Sequence, residues 1–252
     1  MQKIFDLSGK IAIVTGCATG LGQGMALGLA EAGADIVGVY HVKTPEIQKL
    51  IEKIGRKFIG IKADLSSIEP VNEIVETAVK RFGHVDILVN NAGIIRRDDA
   101  LKFSEKDWDD VMNINIKTLF FLSQSVTNQF IKQGNGGKIV NIASMLSFQG
   151  GIRIPSYTAS KSGVKGLTML LANEWAKYNI NVNAIAPGYM VTANTVALRN
   201  DEQRNAEIVN RIPAGRWGLP SDLAGPVVFL ASTASDYVNG YTLAVDGGWL
   251  AR

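Results

Sequence analysis

The sequence has little of what stabilises secreted domains or binds metals. Its 252 residues include a single cysteine, Cys17, so no internal disulfide can form, which suits a reducing compartment. The two histidines, His41 and His84, are far apart and lack companion cysteine ligands. We therefore expect no metal site, and for Cys17 a packing role in a glycine-rich turn rather than a redox role.

Long apolar runs and blocks of like charge are also absent. No apolar run reaches the length that crosses a membrane, and Asp6 precedes any long apolar stretch, unlike the start of a signal peptide. The formal net charge of +3 is small and spread along the chain, which argues against a nucleic-acid surface. These features predict a cytoplasmic protein with neither membrane nor nucleic-acid partners.

What the chain does contain is a regular alternation of strand-like and helix-like segments. With 46% hydrophobic residues and no linker, repeat or low-complexity tract, residues 1–252 are expected to form one domain. The predicted strands are 10–15, 35–40, 58–62, 86–90, 138–143, 181–186 and 242–245. Helix-like stretches lie at about 25–32, 45–54, 67–82, 104–133, 157–178 and 221–231. The alternation predicts an α/β fold, a doubly wound parallel sheet of about seven strands with helices on both faces.

The first predicted strand runs into a glycine-rich turn and then into a helix-forming segment. The turn reads Gly16-Cys17-Ala18-Thr19-Gly20-Leu21-Gly22. Strand, glycine turn and helix together direct backbone N–H groups at a pyrophosphate. Because the glycine spacing differs from the common dinucleotide fingerprint, a tight strand-to-helix connection without a ligand stays an alternative.

Polar or turn-forming motifs follow the other predicted strands as well. They are Asp64-Leu65, Asn90-Asn91-Ala92-Gly93, Ser144 and Pro187-Gly188. The carboxyl ends of parallel strands meet at one edge of a sheet, where ligands bind. Each motif alone could serve turn chemistry, but together they predict a shared ligand crevice.

Tyr157 and Lys161 are the most informative pair. Their spacing of four places phenol and ammonium on one face of a helix. A free tyrosine has a pKa of about 10, so that forming its phenolate near neutral pH costs about 4 kcal/mol. A lysine charge about 4 Å away, at an effective dielectric near 20, stabilises the phenolate by about that amount. An isolated pair of this spacing is more often an exposed tyrosine and lysine, and the upstream glycine turn favours the chemical role.

Together these residues resemble the short-chain dehydrogenases/reductases over essentially the whole chain. The motifs that carry the resemblance stand in the family's order and spacing: Thr15-Gly16-x-x-x-Gly20-x-Gly22, Asn90-Asn91-Ala92-Gly93, Asn115, Ser144, Tyr157-x-x-x-Lys161 and Pro187-Gly188-x-x-x-Thr192. The resemblance implies a Rossmann-type single domain that transfers a hydride with a nicotinamide cofactor. The catalytic residues that it implies are Asn115, Ser144, Tyr157 and Lys161.

The resemblance also implies a role for each of these residues. Tyr157 would exchange the proton, and Ser144 would hydrogen-bond the reacting carbonyl oxygen. Lys161 would lower the tyrosine pKa and hold the nicotinamide ribose. Asn115, chosen over Asn113 by its spacing from Trp108, would position a water in a proton relay. The implied cofactor-binding residues are Gly16, Thr19, Gly20, Leu21, Gly22, Tyr40, Asp64, Leu65, Asn91, Ala92, Gly93, Tyr157, Lys161, Pro187, Gly188 and Thr192.

The position that contacts the adenine ribose departs from the usual pattern. An acidic residue often ends the second strand and binds the ribose hydroxyls when NAD is preferred. Here Tyr40 and His41 occupy that region, and no arginine stands there for the 2′-phosphate of NADP, although Lys43 is close in sequence. Supported by the resemblance, the sequence favours NAD over NADP.

The substrate is expected to be a small acid sugar, because the runs 142–153, 234–240 and 246–252 resemble members of the family that act on acid sugars. A carboxylate needs a cation or several N–H donors. The implied substrate residues are Ser144, Gln149, Arg153, Tyr157 and Arg97, with Arg96 a further candidate. For each arginine a solvated surface position is about as plausible. The segment at about 188–212 is expected to close over substrate as a lid.

Other functions stay open on the residues alone. Within enzymes, the alternative is reduction of another small carbonyl, a 3-oxoacyl thioester or 5-ketogluconate. Outside enzymes, the alternatives are a non-catalytic dinucleotide sensor and a structural or interaction protein with a vestigial site, both disfavoured by the intact set of Ser144, Tyr157 and Lys161. The resemblance further implies a homotetramer in which the helices at about 104–133 and 157–178 pair across subunits. Met169, Leu170 and Leu171 give the second helix an extended apolar surface.

Overall fold

The computed structural model describes residues 3–42 and 46–252 of the protein. Seven strands are present: β1 Ile11–Thr15, β2 Asp35–Tyr40, β3 Phe58–Lys62, β4 Ile87–Asn90, β5 Gly137–Ile142, β6 Ile180–Pro187 and β7 Thr242–Val245. The helices of the described ranges are α1 Gly20–Glu31, α2 Ile47–Lys53, α3 Val71–Phe82, α4 Glu105–Met112, α5 Leu119–Gln133, α6 Pro155–Trp175, α7 Val196–Asn200, α8 Glu202–Arg211 and α9 Ala224–Ala231. None of these helices is both long enough and apolar enough to cross a membrane.

All seven strands form one parallel sheet in the order β3-β2-β1-β4-β5-β6-β7. Along β1 the side chains alternate between two helical layers, as strand geometry requires. Ala12 and Val14 pack towards α1, α2 and α9, whereas Ile11 and Ile13 pack towards α3, α5 and α6. The predicted single-domain, doubly wound fold is therefore confirmed. Strand order reverses between β1 and β4, and this reversal opens a crevice at the carboxyl ends of the strands.

Two predicted segments differ from the structure in form. The predicted helix at 104–133 is divided into α4 and α5 by a π-helical turn, Asn113–Thr118. Within this turn Asn115 hydrogen-bonds Ile94, a tertiary contact of which the apolar periodicity gives no sign. The segment at 188–212, for which no helix was predicted, contains α7 and α8; α8 begins after Asp201, whose side chain accepts a hydrogen bond from the backbone N–H of Arg204 at 2.9 Å.

A buried polar network joins both central strands to the helices behind them. The amide of Asn90 in β4 donates to the Ser123 hydroxyl and to Asn141 in β5, each at 2.9 Å. Asn141 in turn donates to the Thr168 hydroxyl of α6 at 3.0 Å. These side chains are buried, so each depends on its partners for hydrogen bonding. The network fixes α6 against the ends of β4 and β5.

Replacing Asn141 with alanine should destabilise the protein more than an exposed amide deletion does. Asn141→Ala removes one of the two buried hydrogen bonds made by Asn90 and one of the two made by Thr168, which costs about 2 to 4 kcal/mol of the free energy of unfolding. Denaturant unfolding at fixed protein concentration measures the change. Asn72→Ala on exposed α3, where the amide side chain meets only Ser125, is the matched control and should lose less than about 1 kcal/mol. Equal losses in the two variants would contradict the structural role of the network.

Candidate functional site

An elongated cavity of about 510 Å³ lies beyond the carboxyl ends of β1, β2 and β4. Most of the residues that the sequence assigns to a cofactor line it: Gly16, Thr19, Gly20, Leu21, Gly22, Tyr40, Asn91, Ala92, Gly93, Tyr157, Lys161 and Thr192. Pro187 and Gly188 line a neighbouring cavity of about 520 Å³, which shares Leu21, Tyr157 and Thr192 with the first. Asp64 and Leu65 line neither cavity.

The glycine-rich turn and the Asn-Asn-Ala-Gly turn are bound to each other. The amide of Asn91 donates to the carbonyls of Thr15 and Gly16 at 2.8 and 3.2 Å, and the Thr15 hydroxyl accepts from the backbone N–H of Ala92 at 2.9 Å. Gly16 has φ +65°, and a side chain at Gly22 would overlap the Gly16 carbonyl and the Asn91 amide. Neither position can carry a side chain, so the backbone stays open to a ligand.

The first turn of α1 faces this cavity with free backbone donors. The helix begins after Thr19, whose side chain makes no capping hydrogen bond. Its first N–H groups are therefore left for an anion, which the positive end of a helix also attracts. A bare glycine turn, free amides and a long cavity fit a dinucleotide, with the pyrophosphate against Gly20 to Gly22.

Tyr40, His41 and Val42 form the far end of this cavity. Within the described part of the chain, no arginine or carboxylate lines the cavity. His41 lies 3.8 Å from the carboxylate of Asp64, which also accepts the backbone N–H of Ser66. Hydrogen bonds from Ser66 and, to a smaller extent, the charge of His41 hold the pKa of Asp64 below its usual range. Lys43, noted above for its closeness in sequence, lies outside the described residues.

Tyr157 stands in the first turn of α6, which starts at Pro155. Burial raises the pKa of the Tyr157 phenol, while a hydrogen bond from Ser144 and the positive charge of Arg97 lower it in part. Ser144 follows β5 and begins a short helical turn, where its Oγ accepts the backbone N–H of Leu146 at 3.2 Å. Two chain segments thus place a hydroxyl and a phenol together at the junction of both cavities.

Lys161 is 4% exposed and lies one turn after Tyr157. Its Nζ donates to the backbone carbonyl of Ile142 at 2.6 Å and lies 5.7 Å from the centre of the Tyr157 ring. Burial lowers the pKa of the ammonium to about 8, so the lysine remains mostly protonated near neutral pH. The lowering of the Tyr157 pKa by Lys161 that the resemblance implies stays a prediction; in this arrangement the ammonium donates to a main-chain oxygen.

Asn115 lies buried in the π-helical turn and binds the loop after β4. Its side chain accepts the N–H of Ile94 at 2.9 Å and donates to the carbonyl of the same residue at 3.0 Å. It also donates to the Ser160 hydroxyl of α6 at 3.2 Å. If Gly93 carried a Cβ atom, that atom would lie 3.2 Å from the Asn115 amide oxygen and 3.7 Å from the Lys161 ammonium. The absence of a side chain there keeps the space between Asn115 and Lys161 open.

The second cavity holds Ser144, Tyr157 and several charged side chains. Arg97 lines it, donates to the backbone carbonyl of Asn194 at 3.1 Å, and is near enough for its charge to act on Tyr157. Gln149 lines it too and accepts a hydrogen bond from Trp249 at 3.3 Å.

The other two arginines proposed from the sequence lie elsewhere. Arg153 is exposed, has φ +64°, and does not line the cavity. Arg96 forms ion pairs with Asp107 and Asp110 at 3.3 and 3.6 Å. Among the candidates for a carboxylate partner, the structure brings Arg97 to the cavity and leaves the other two outside it.

Sequence reasoning missed the wall that α8 and the C-terminal turn contribute. Four α8 residues line the cavity, and they are Arg204, Glu207, Ile208 and Arg211. Their spacing of three, four and seven marks one helical face, a signal that could have been read from the sequence. Trp249 and Tyr189 complete this wall with ring centres 4.7 Å apart, and their meeting is a tertiary contact.

Known proteins of similar sequence and structure were found along the whole chain. A family model described as enoyl-(acyl carrier protein) reductase matches residues 16–250. The chain is 71% identical over 248 residues, 98% of both chains, to 2-dehydro-3-deoxy-D-gluconate 5-dehydrogenase of Escherichia coli (strain K12). It is also similar to the structure of a putative 2-deoxy-D-gluconate 3-dehydrogenase from Agrobacterium tumefaciens with bound NADP, with TM-score 0.91 and 54% identity over 100% of both chains. A putative NAD(P)-dependent gluconate 5-dehydrogenase from Beutenbergia cavernae, with bound NADP, gives TM-score 0.94 and 47% identity over 99% of this chain and 100% of that one.

Proposed function

The chain belongs to the short-chain dehydrogenase/reductase family of oxidoreductases, and on that premise we propose that it is an NAD-dependent dehydrogenase that interconverts 2-dehydro-3-deoxy-D-gluconate and its 2,5-diketo form. The observation that carries the proposal is the position of Arg97, a cation in the same cavity as Ser144 and Tyr157. An acid sugar needs this combination, because its carboxylate and its reacting carbon are only a few bonds apart.

Proton transfer is assigned to Tyr157. When bound, a nicotinamide dinucleotide accepts the hydride in oxidation and returns it in reduction. Tyr157 takes the hydroxyl proton in oxidation and gives it back in reduction, while Ser144 hydrogen-bonds the same oxygen and stabilises charge that develops there. Lys161, which lines the first cavity, would hold the cofactor ribose, and Asn115 would support a proton path to solvent beside it.

Arg97 is the proposed partner of the substrate carboxylate. It follows the Asn-Asn-Ala-Gly turn and is anchored by one hydrogen bond to Asn194, which leaves other guanidinium donors available. The segment at 188–212 is the proposed lid. Because Asn194 lines both cavities, closure of this segment would cover cofactor and substrate together.

NAD is the proposed cofactor, although both similar structures named above carry NADP. Selection of NADP commonly uses an arginine at the 2′-phosphate. Tyr40 and His41 stand at the corresponding end of the cavity, and no guanidinium of the described residues lines it. A neutral ribose hydroxyl suits this lining better than a phosphate dianion.

Reduction of 5-ketogluconate is a second candidate, favoured by the similarity to a putative gluconate 5-dehydrogenase. The 2,5-diketo acid and 5-ketogluconate share a carboxylate and a carbonyl at carbon 5, so Arg97 would serve either. A 3-oxoacyl thioester lacks the carboxylate at that position, and a dinucleotide sensor would need no Ser144, Tyr157 and Lys161. A substrate panel that follows NADH absorbance separates these activities.

Assembly into a homotetramer is proposed from the family resemblance and from exposed apolar side chains. Met169 and Leu170 on α6 are 46% and 47% exposed, and Trp108 on α4 is 40% exposed. Leu171, counted with them from the sequence, is 1% exposed and packs in the core, because it lies on the opposite side of the helix. The apolar surface of α6 is therefore narrower than expected but adjoins α4.

Tyr157→Phe should nearly abolish turnover and leave cofactor affinity almost unchanged. The hydroxyl is required for proton transfer, and its loss removes little packing volume. Lys161→Met should lower both turnover and cofactor affinity, because the lysine is proposed both to lower the pKa of Tyr157 and to hold the cofactor ribose. Steady-state rates and NADH binding by fluorescence measure the two effects. Substantial residual kcat in Tyr157→Phe would contradict its assignment as the acid/base.

Arg97→Gln should lower kcat/KM for 2-dehydro-3-deoxy-D-gluconate. The loss should correspond to about 2–3 kcal/mol of transition-state stabilisation, the range for charge-assisted hydrogen bonds. An uncharged ketone of similar length should lose much less, since it makes no ion pair. Arg153→Gln is the matched control, because the same charge is removed outside the cavity. A larger loss in Arg153→Gln than in Arg97→Gln would return the carboxylate site to the loop before Tyr157.

NADH should support a higher kcat/KM than NADPH in reduction of the 2,5-diketo acid. Steady-state kinetics with both cofactors at saturating sugar test the cofactor proposal and the activity together. Tyr40→Arg should shift the ratio towards NADPH, because a guanidinium then faces the 2′-phosphate. Preference of the unaltered protein for NADPH would refute the cofactor assignment, and the absence of turnover with either cofactor would refute the activity.

Light scattering should give the mass of a tetramer at micromolar concentration. Met169→Glu places a charge on the apolar surface of α6 and should produce smaller species. Leu50→Glu is the matched control, because Leu50 is 41% exposed on α2, in the opposite helical layer. A monomeric unaltered protein would contradict the proposal.

A further inference from the structure

The cavity that contains Ser144 and Tyr157 carries more positive charge than one acid sugar neutralises. Its charged lining consists of three arginines and one glutamate, a net charge of +2: Arg97, Arg204, Arg211 and Glu207. Arg204 and Glu207 form an ion pair at 2.8 Å. Within residues 3–42 and 46–252, no carboxylate stands within ion-pair distance of either remaining arginine.

Arg211 is an exposed side chain that stacks on the C-terminal wall of the cavity. Its guanidinium lies 4.0 Å from the centre of the Trp249 ring, and stacking of this kind leaves the edge N–H donors of the group free. Trp249 is itself fixed, since it is 5% exposed, donates to Gln149, and packs edge-on against Tyr189. Tyr189 also packs on Trp217, whose Nε1 donates to Asn205 of α8 at 2.7 Å.

Arg97 enters the same cavity from another element. It belongs to the loop after β4 and is anchored on Asn194, beside Tyr157. Arg211 belongs to α8 and is anchored on Trp249, beside Gln149. The guanidinium groups of Arg97 and Arg211 are thus held by different elements, have N–H donors that are not used by the described part of the protein, and line the same cavity of about 520 Å³.

We infer that this cavity binds polyhydroxy dicarboxylates, with one carboxylate on Arg97 and the second on Arg211. A monocarboxylate satisfies the first arginine alone and presents a hydroxyl to the second. A dicarboxylate of the same length gains a second charge-assisted pair in a partly enclosed cavity, where such pairs are stronger than in water. The inference rests on the proposed acid-sugar site and extends the class of ligands that it takes.

Galactarate and D-galactonate make a matched pair of probes. They have six carbons and differ at one end, where a carboxylate in the first replaces a hydroxymethyl group in the second. Isothermal titration into the protein saturated with NADH gives both dissociation constants without turnover. Galactarate is expected to bind about tenfold more tightly, a difference that shrinks at high salt.

Variants assign the difference to Arg211. Arg211→Gln should weaken galactarate about tenfold more than galactonate, and Arg211→Lys should recover part of the loss, since a charge returns without the planar fork. Arg81→Gln, which removes one exposed charge from α3 outside the cavity, should keep the full difference. NADH affinity reports whether each variant is folded.

Equal affinities for the two acids in the unaltered protein, or an unchanged difference in Arg211→Gln, would overturn the inference. A difference that falls equally in Arg81→Gln would overturn it too, because net charge alone would then explain binding. If the unaltered protein turns over 2-dehydro-3-deoxy-D-gluconate but binds both acids equally, this inference is refuted and the proposed function stands. If the unaltered protein neither turns over that substrate nor binds galactonate, the proposed function is refuted as well.

Discussion

The burial of one ammonium group organises the catalytic part of this protein. Lys161 is almost fully enclosed, and a buried charge is costly unless its donors are used. The carbonyl of Ile142, the last residue of β5, accepts one of them at 2.6 Å. That bond ties α6 to the end of β5, two residues before Ser144. The positions of Ser144 and Tyr157 relative to one another follow from where the lysine can be satisfied.

A second constraint adds the loop after β4 to this frame. Asn115 exchanges two hydrogen bonds with the backbone of Ile94 and a third with Ser160 of α6. An ordinary α-helix passing from α4 to α5 is interrupted there by a π-helical turn, a form that often marks functional positions. The strand ends, the π-helical turn and α6 thus hold each other through main-chain and buried side-chain partners, which leaves the catalytic side chains little freedom.

How far the sequence predicts this arrangement depends on the range of the contacts involved. All seven strands could be located, and the inner ones, such as 11–15, are buried on both faces and read as β-branched apolar runs. The break at 113–118 could not be predicted, and the contact that accompanies it is tertiary, because Asn115 binds Ile94, about twenty residues away in sequence. The sequence was equally unable to predict which of Arg97 and Arg153 lies in the substrate cavity. Both adjoin catalytic motifs, and only the fold shows that Arg153, at φ +64°, lies outside the cavity.

Two arginines on different elements line the substrate cavity, and they differ in how directly they act on the acid/base residue Tyr157. Arg97 belongs to the strand-end frame, and its charge lowers the Tyr157 pKa against the larger effect of burial. A carboxylate placed on Arg97 offsets that charge, so ligand binding there also favours the protonated phenol that reduction requires. Arg211 belongs to α8, rests on Trp249 and lies outside the strand-end frame. Changes at Arg211 are therefore expected to act on the binding of acids, whereas any change at Arg97 alters both recognition and the Tyr157 pKa.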